Sequence, residues 1–81
     1  MDGFENVQGG GALITGIAGP GTPVVRAGLI GGDIVKSFDG KPVRDAREMR
    51  RFLDETPVGK TVEVVYVRDG VMATTTLTTM A

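Results

Sequence analysis

Residues 12 to 43 constrain the fold more than any other stretch. They read Ala-Leu-Ile-Thr-Gly-Ile, then Gly-Pro-Gly-Thr-Pro, Val-Val-Arg-Ala-Gly-Leu, and Gly-Gly-Asp-Ile-Val-Lys-Ser-Phe-Asp-Gly-Lys-Pro-Val. The order is strand, loop, one short helix, turn, strand, tight turn. Thr22 is a side-chain cap for a helix whose first residue is Pro23, where a missing N–H costs nothing. Gly28 supplies the left-handed residue that stops this helix, and Leu29 folds back toward the core. Asp39-Gly40 is a strong tight-turn signal between the strand Asp33 to Phe38 and the residues that follow. That strand sets Ile34, Lys36 and Phe38 against Asp33, Val35 and Ser37, so its alternation assigns no clean inner face.

The flanks complete a β-β-α-β-α-β-β order. Gly3 to Val7 is a short candidate strand, and Ala12 to Ile17 is apolar enough to be a buried one. Asp45 precedes Glu48 by three residues, the capping-box spacing. Ala46, Met49, Phe52 and Leu53 then recur at helical spacing, and Pro57 and Gly59 end the element. Val62, Val64 and Tyr66 alternate with Glu63, Val65 and Val67. Arg68-Asp69-Gly70 is a hairpin turn, and the threonine-rich run Val71 to Thr79 is a closing strand.

Eighty-one residues make one domain at most, and 41% hydrophobic with 23% charged residues is ordinary for a globular chain. Residues 1–81 are therefore read as a single domain. The chain starts almost inside its first strand, so it is expected to be a module of a longer protein. A net charge of −1 provides no field for nucleic acid or an anionic membrane. No apolar run approaches the ~20 residues of a bilayer span, so direct membrane insertion is not expected.

The chain has no histidine and no cysteine, and Ser37 is its only serine. A Ser-His-Asp or Cys-His arrangement cannot be assembled from it. Zinc, iron and copper sites draw on those same residues, so no metal and no cofactor is expected. Gly9-Gly10-Gly11 is followed by no Lys-Ser/Thr and leads into a strand, which argues against a phosphate loop. Gly16, Gly19 and Gly21 lack dinucleotide spacing. Arg44, Arg47, Arg50 and Arg51 sit among Asp45, Glu48, Asp54 and Glu55. They read as a mixed-charge solvated face, as a nucleic-acid surface, or as the border of a groove biased toward acidic peptides.

Pro23-x-x-x-Ala27-Gly28-Leu29, Gly32-Asp33-Ile-Val and Asp39-Gly40-Lys-Pro-Val43 together resemble the centre of a PDZ domain, and the likeness extends from Ala12 to Leu77. Asp45 to Leu53 and Val62 to Gly70 are similar to the bacterial type found with proteases: high-temperature-requirement, C-terminal-processing, site-2 and aminopeptidase-linked. The resemblance implies a small α+β fold, a partly open β-barrel or sandwich of about five strands capped by two helices. The permuted bacterial strand order gives Val71 to Thr79 the edge role.

The resemblance also implies a function. A PDZ domain captures C-terminal or exposed apolar segments by adding them as a strand between one sheet edge and the main helix. The peptide carboxylate sits on backbone N–H groups of an apolar-Gly-apolar loop. Here that loop falls on Met1-Asp2-Gly3-Phe4. Gly3 and Phe4 match its last two positions; Met1 and Asp2 depart from it. The implied peptide-binding residues are Gly3, Phe4, Glu5, Asn6 and Val7 on the strand, with Ala46, Met49, Arg50 and Leu53 on the helix. Met49 and Leu53 are equally readable as core, and Phe4 as a plug of the sheet. A charge at Met49 or Leu53 is expected to abolish binding while leaving the fold largely intact. Expected partners are protein C-termini, unfolded or apolar segments and a neighbouring protease domain, in a bacterial periplasm or cell envelope. The domain itself is expected to be non-catalytic. The alternative is a regulatory or self-assembly domain that captures nothing.

Overall fold

The computed structural model describes residues 3–16 and 22–80. Met1, Asp2, Ile17, Ala81 and the Gly19 and Gly21 positions of the first loop therefore lie outside the described residues. The elements run β1 (Phe4–Asn6), β2 (Ala12–Ile14), α1 (Pro23–Arg26), β3 (Ile34–Phe38), β4 (Lys41–Pro42), α2 (Ala46–Glu55), β5 (Thr61–Arg68) and β6 (Val71–Thr78). All pairings are antiparallel, in the order β1-β2-β3-β5-β6, with β4 paired to β3 beside β2. This is the expected α+β architecture, with β6 as the edge supplied from the C-terminal side. It differs by a sixth strand: Lys41–Pro42 bonds back onto Ser37 and Phe38, where the sequence reads as a lead-in to the helix.

Both helices start and stop as their caps require. Thr22 Oγ1 accepts from Val25 N at 3.4 Å. Gly28 N donates to Val25 O and Leu29 N to Val24 O, the paired closure of a Schellman stop. At α2, Asp45 Oδ1 accepts from Glu48 N at 2.8 Å. Glu48 reaches back one residue further than a standard capping box: Oε1 accepts from Arg44 N at 2.8 Å and from Arg44 Nε at 3.0 Å, and Oε2 from Nη2 at 2.7 Å. Asp39 and Gly40, with φ of 54° and 78°, and Asp69 and Gly70, with 53° and 78°, make two turns of the primed type that matches strand twist.

The core is one cluster that includes Phe4, Ile14, Leu29, Val35, Phe38, Met49, Phe52, Val64 and Leu77. Phe38 and Phe52 stack with centroids 6.1 Å apart. Lys41 Nζ sits 4.5 Å above the Phe52 ring, covering the core edge with a cation. β3 explains its own mixed pattern. Val35 pairs with Tyr66 and Ser37 with Val65, so Lys36 is an extra residue in a bulge. The bulge shifts the phase by one, and Val35 and Phe38, three apart, both become fully buried.

The bulge is also a junction. Lys36 O accepts from Val43 N at 2.9 Å, and Gly11 N donates to Arg44 O at 3.1 Å. Lys36 Nζ donates to Gly10 O at 2.8 Å. The β1–β2 turn is thereby tied to the segment that enters α2. A methyl on Gly11 would lie 2.7 Å from Ile34 Cγ2 and 2.8 Å from Val35 O, on a backbone with φ of 107°.

Asp33 is buried at the start of β3, 1% exposed. Its carboxylate accepts from Ile30 N at 2.9 Å, Arg68 Nε at 2.8 Å and Arg68 Nη2 at 2.7 Å. Arg68 also donates to Gly28 O at 2.9 Å. One ion pair therefore joins the end of α1, the start of β3 and the end of β5. The hydrogen bonds from Arg68 hold Asp33 below its ordinary value of 3.8, against the opposing effect of burial.

Two predictions follow from these joints. Gly11→Ala should cost about 2 kcal/mol or more, because left-handed strain adds to a backbone clash. Gly9→Ala, which meets nothing within 4 Å, should cost only about 1 kcal/mol. Equal urea midpoints for the two variants would refute the junction. The second concerns pH. The Arg44 hydrogen bonds hold Glu48 at about 2, down from 4.5. A depressed carboxylate contributes stability that is complete above its unfolded value and lost as pH falls through its folded one. Stability should therefore decline between pH 4.5 and about 2, and Asp33 should add to the loss from 3.8 downward. Glu48→Gln should flatten that decline; an unchanged acid slope would remove Glu48 from the account.

Candidate functional site

β1 is one end of the sheet, and its hydrogen-bonding direction can be followed from its neighbour. Ile14 donates its N–H to Asp33 O and accepts from Gly32 N. Its polar backbone atoms therefore face β3 and not β1. Phe4, opposite Ile14, must then point its N–H and C=O away from β2, since antiparallel pairs alternate. Thr15 N donates to Gly3 O at 2.8 Å, which fixes the same alternation from the other side. Phe4 and Asn6 therefore present their backbone groups to the sheet edge, while Gly3 and Glu5 bond inward.

That edge faces α2. Phe4, Glu5, Asn6, Ala46, Arg47 and Arg50 line an open groove of about 460 Å³. Two contacts cross it. Asn6 Oδ1 accepts from Ala46 N at 2.9 Å, satisfying one of the first N–H groups of α2, which have no partner inside the helix. Arg50 Nη2 donates to Phe4 O at 3.2 Å. Gly3 is buried with φ of 78°, and a methyl there would overlap the Gly16 carbonyl. The backbone leaves no room for any side chain at Gly3.

The residues expected at the site divide into two groups. The structure brings Phe4, Glu5, Asn6, Ala46 and Arg50 together at the groove. Gly3 leads into it, and Val7 follows β1. Met49 is fully buried; it supports the helix from behind and does not line the groove. Leu53 is partly buried and packs against the same core. A charge at Met49 would therefore disrupt packing before it reached any ligand, which corrects the expectation that the fold would survive it. The Met1 and Asp2 half of the implied carboxylate loop lies outside the described residues. Arg47 also lines the groove; it is absent from the implied peptide-binding residues, but one of the three readings of the arginine row places it at a groove border, three residues before Arg50 on the same helix face.

The groove sets the outward backbone groups of β1 beside the start of α2. It holds arginines and an edge strand but neither histidine nor cysteine, and no group of three or more potential metal ligands occurs among the described residues.

Known proteins share this fold. The chain is 34% identical over 71 residues to the magnetosome formation protease MamE of Magnetospirillum gryphiswaldense, covering 88% of this chain and 9% of that protein. It is 37% identical over 57 residues to a probable periplasmic serine endoprotease, DegP-like, of Rhizobium meliloti, covering 70% of this chain and 11% of that protein. The chain thus spans about a tenth of the length of these curated relatives. Among solved structures, the HtrA-type protease AlgW with tripeptide superposes with a TM-score of 0.75 at 26% identity, covering 85% of this chain and 23% of that one. The profile described as "PDZ domain" matches residues 3–79. That match covers both walls of the groove and the sheet behind them, and the chain belongs to the PDZ domain family.

Proposed function

We propose that this domain captures extended peptide segments by strand addition in the groove between β1 and α2. The observation that carries the reading is the outward direction of the Phe4 and Asn6 backbone groups beside a groove walled by Ala46, Arg47 and Arg50. An added strand gains main-chain hydrogen bonds, and the wall reads its alternate side chains. Ala46 at the helix start leaves room for a side chain of the ligand.

The ligands are protein C-termini or exposed apolar segments. The relatives named as proteases support a role beside a protease domain, in substrate recognition or control of activity. The name of the Rhizobium relative supports a periplasmic or envelope setting, and the AlgW structure with tripeptide supports a short peptide as ligand. Catalysis belongs to the neighbouring domain, because this chain lacks histidine and cysteine. Affinity should be micromolar, about −8 kcal/mol.

An amide-NMR titration with one apolar peptide, as free acid and as C-terminal amide, tests the reading. Shifts at Gly3, Phe4 and Asn6 with the acid alone are expected if the terminal carboxylate is captured. Equal shifts with both forms mean capture of internal segments. Silence across several peptide sequences would overturn the proposal and favour a regulatory or assembly role.

A further inference from the structure

β6 ends the sheet on the side opposite β1. Its backbone directions follow from two of its neighbours. Thr79 N donates to Lys60 O and Gly59 N donates to Thr79 O, so Thr79 faces the β5 side. Glu63 O accepts from Asp39 N, so Glu63 faces β3 and turns away from its partner Thr76. The β5–β6 register runs unbroken from Thr61–Thr78 to Arg68–Val71. Antiparallel alternation then turns the N–H and C=O of Met72, Thr74, Thr76 and Thr78 away from β5. Among the described residues no strand pairs with that side. Natural sheet edges are guarded by charge, proline, a bulge or a cover. Val71–Thr78 has no charged residue and no proline, and its pairing has no register shift. α1 lies against the face of β6, where Thr75 Oγ1 donates to Ala27 O at 2.8 Å. An open groove of about 340 Å³ beside the edge is lined by Arg26, Ala27, Thr76, Thr78, Thr79 and Met80.

We propose that this edge pairs with the β6 edge of a second copy of the chain, antiparallel about a two-fold at Thr76. The occupant is a second copy because the edge is complementary to itself. An uncharged strand meets its twin without the repulsion that like charges directly opposite would cause. Its exposed apolar residues stand at both ends, Met72 at 67% exposed and Met80 at 45%. Antiparallel pairing sets the start of one strand opposite the end of the other. Met72 of each copy then meets Met80 of the other, Thr74 lies opposite Thr78, and Thr76 lies opposite its own counterpart. Thr74, Thr76 and Thr78 are all exposed in the single chain, and Thr–Thr pairs across strands are favourable. Such an isologous contact closes at two chains. Arg26 lines the groove in both copies and adds a like-charge cost, which salt screens. β1 offers no equivalent surface: it has three residues with Glu5 at their centre, and Asn6 and Arg50 link it to α2. Pairing through β6 joins two sheets into one and leaves a β1 groove at each outer end. A chain with two binding segments could then be held by both grooves.

One short edge buries less than the ~1,200 Å² of a standard interface, so the pairing is weak and concentration-dependent. Sedimentation equilibrium of the 81-residue chain at physiological salt, in a series rising to about 1 mM, should show a mass that climbs from one chain toward two and no further. Thr76→Lys places two ammonium groups opposite each other at the two-fold and should hold the mass at one chain throughout. The same lysine faces Glu63 within its own chain, so the variant should unfold at the parent's urea midpoint. A second measurement does not depend on any variant. In a mixture of ¹³C-labelled and unlabelled chains, isotope-filtered NOEs should connect Ala73 Hα to Thr79 Hα. Those two protons are about 20 Å apart along one extended strand, so the contact can arise only between copies. A one-chain mass at every concentration overturns the proposal. So does growth beyond two chains, a dimer that Thr76→Lys leaves intact, or a dimeric sample with no NOE between β6 residues of different copies.

Discussion

The bulge at Lys36 in β3 is the constraint on which the remainder of the structure depends. β3 is the strand to which β2, β4 and β5 are all paired. The extra residue turns both Val35 and Phe38 inward, so one short strand supplies two large core side chains from positions of opposite parity. It also frees the Lys36 carbonyl for Val43 N and aims the ammonium at Gly10 O. β2 covers the first half of that edge of β3 and β4 the second. The handover between them occurs at the bulge.

The groove inherits its dimensions from this junction. Asn6 ends β1 and Ala46 begins α2, and both lie a few residues from the Gly10, Gly11, Val43 and Arg44 bonds that cross the junction. The Asn6 to Ala46 hydrogen bond closes the same corner. The separation of strand edge and helix is therefore set by backbone contacts at one end, with Arg50 reaching across further along. Farther from the groove, the Asp33–Arg68 pair fixes the α1 exit against the β5–β6 hairpin. It anchors the start of β3, where Asp33 O accepts from Ile14 N.

Charge is distributed with the same economy of position. Glu48 is held by Arg44 on the turn that enters α2, and Arg51 lies between Glu48 and Glu55. Of the arginine row, Arg47 and Arg50 face the groove. A row that reads as one mixed-charge surface thus serves three tasks: capping, solvation and lining of the groove.

Local chemistry alone determined much of this protein. Thr22-Pro23, Gly28-Leu29, Asp39-Gly40, Asp45 with Glu48, and Asp69-Gly70 each act through bonds within a few residues, so the sequence carries the turns, the caps and the element order. The lack of histidine and cysteine bears in the same direct way on Ser-His-Asp and Cys-His arrangements, which cannot be assembled from this chain alone. Tertiary structure decided the rest. The phase of β3 depends on a bulge whose Lys36 bonds to Gly10 and Val43, contacts that alternation along β3 does not encode. Met49 and Leu53 share a stripe with Ala46, and only packing against Phe38 and the sheet separates core from groove wall. Most of all, the contact between Arg50 and Phe4 joins residues 46 positions apart. No periodicity encodes it, because it exists only once a strand edge and a helix face have been brought together.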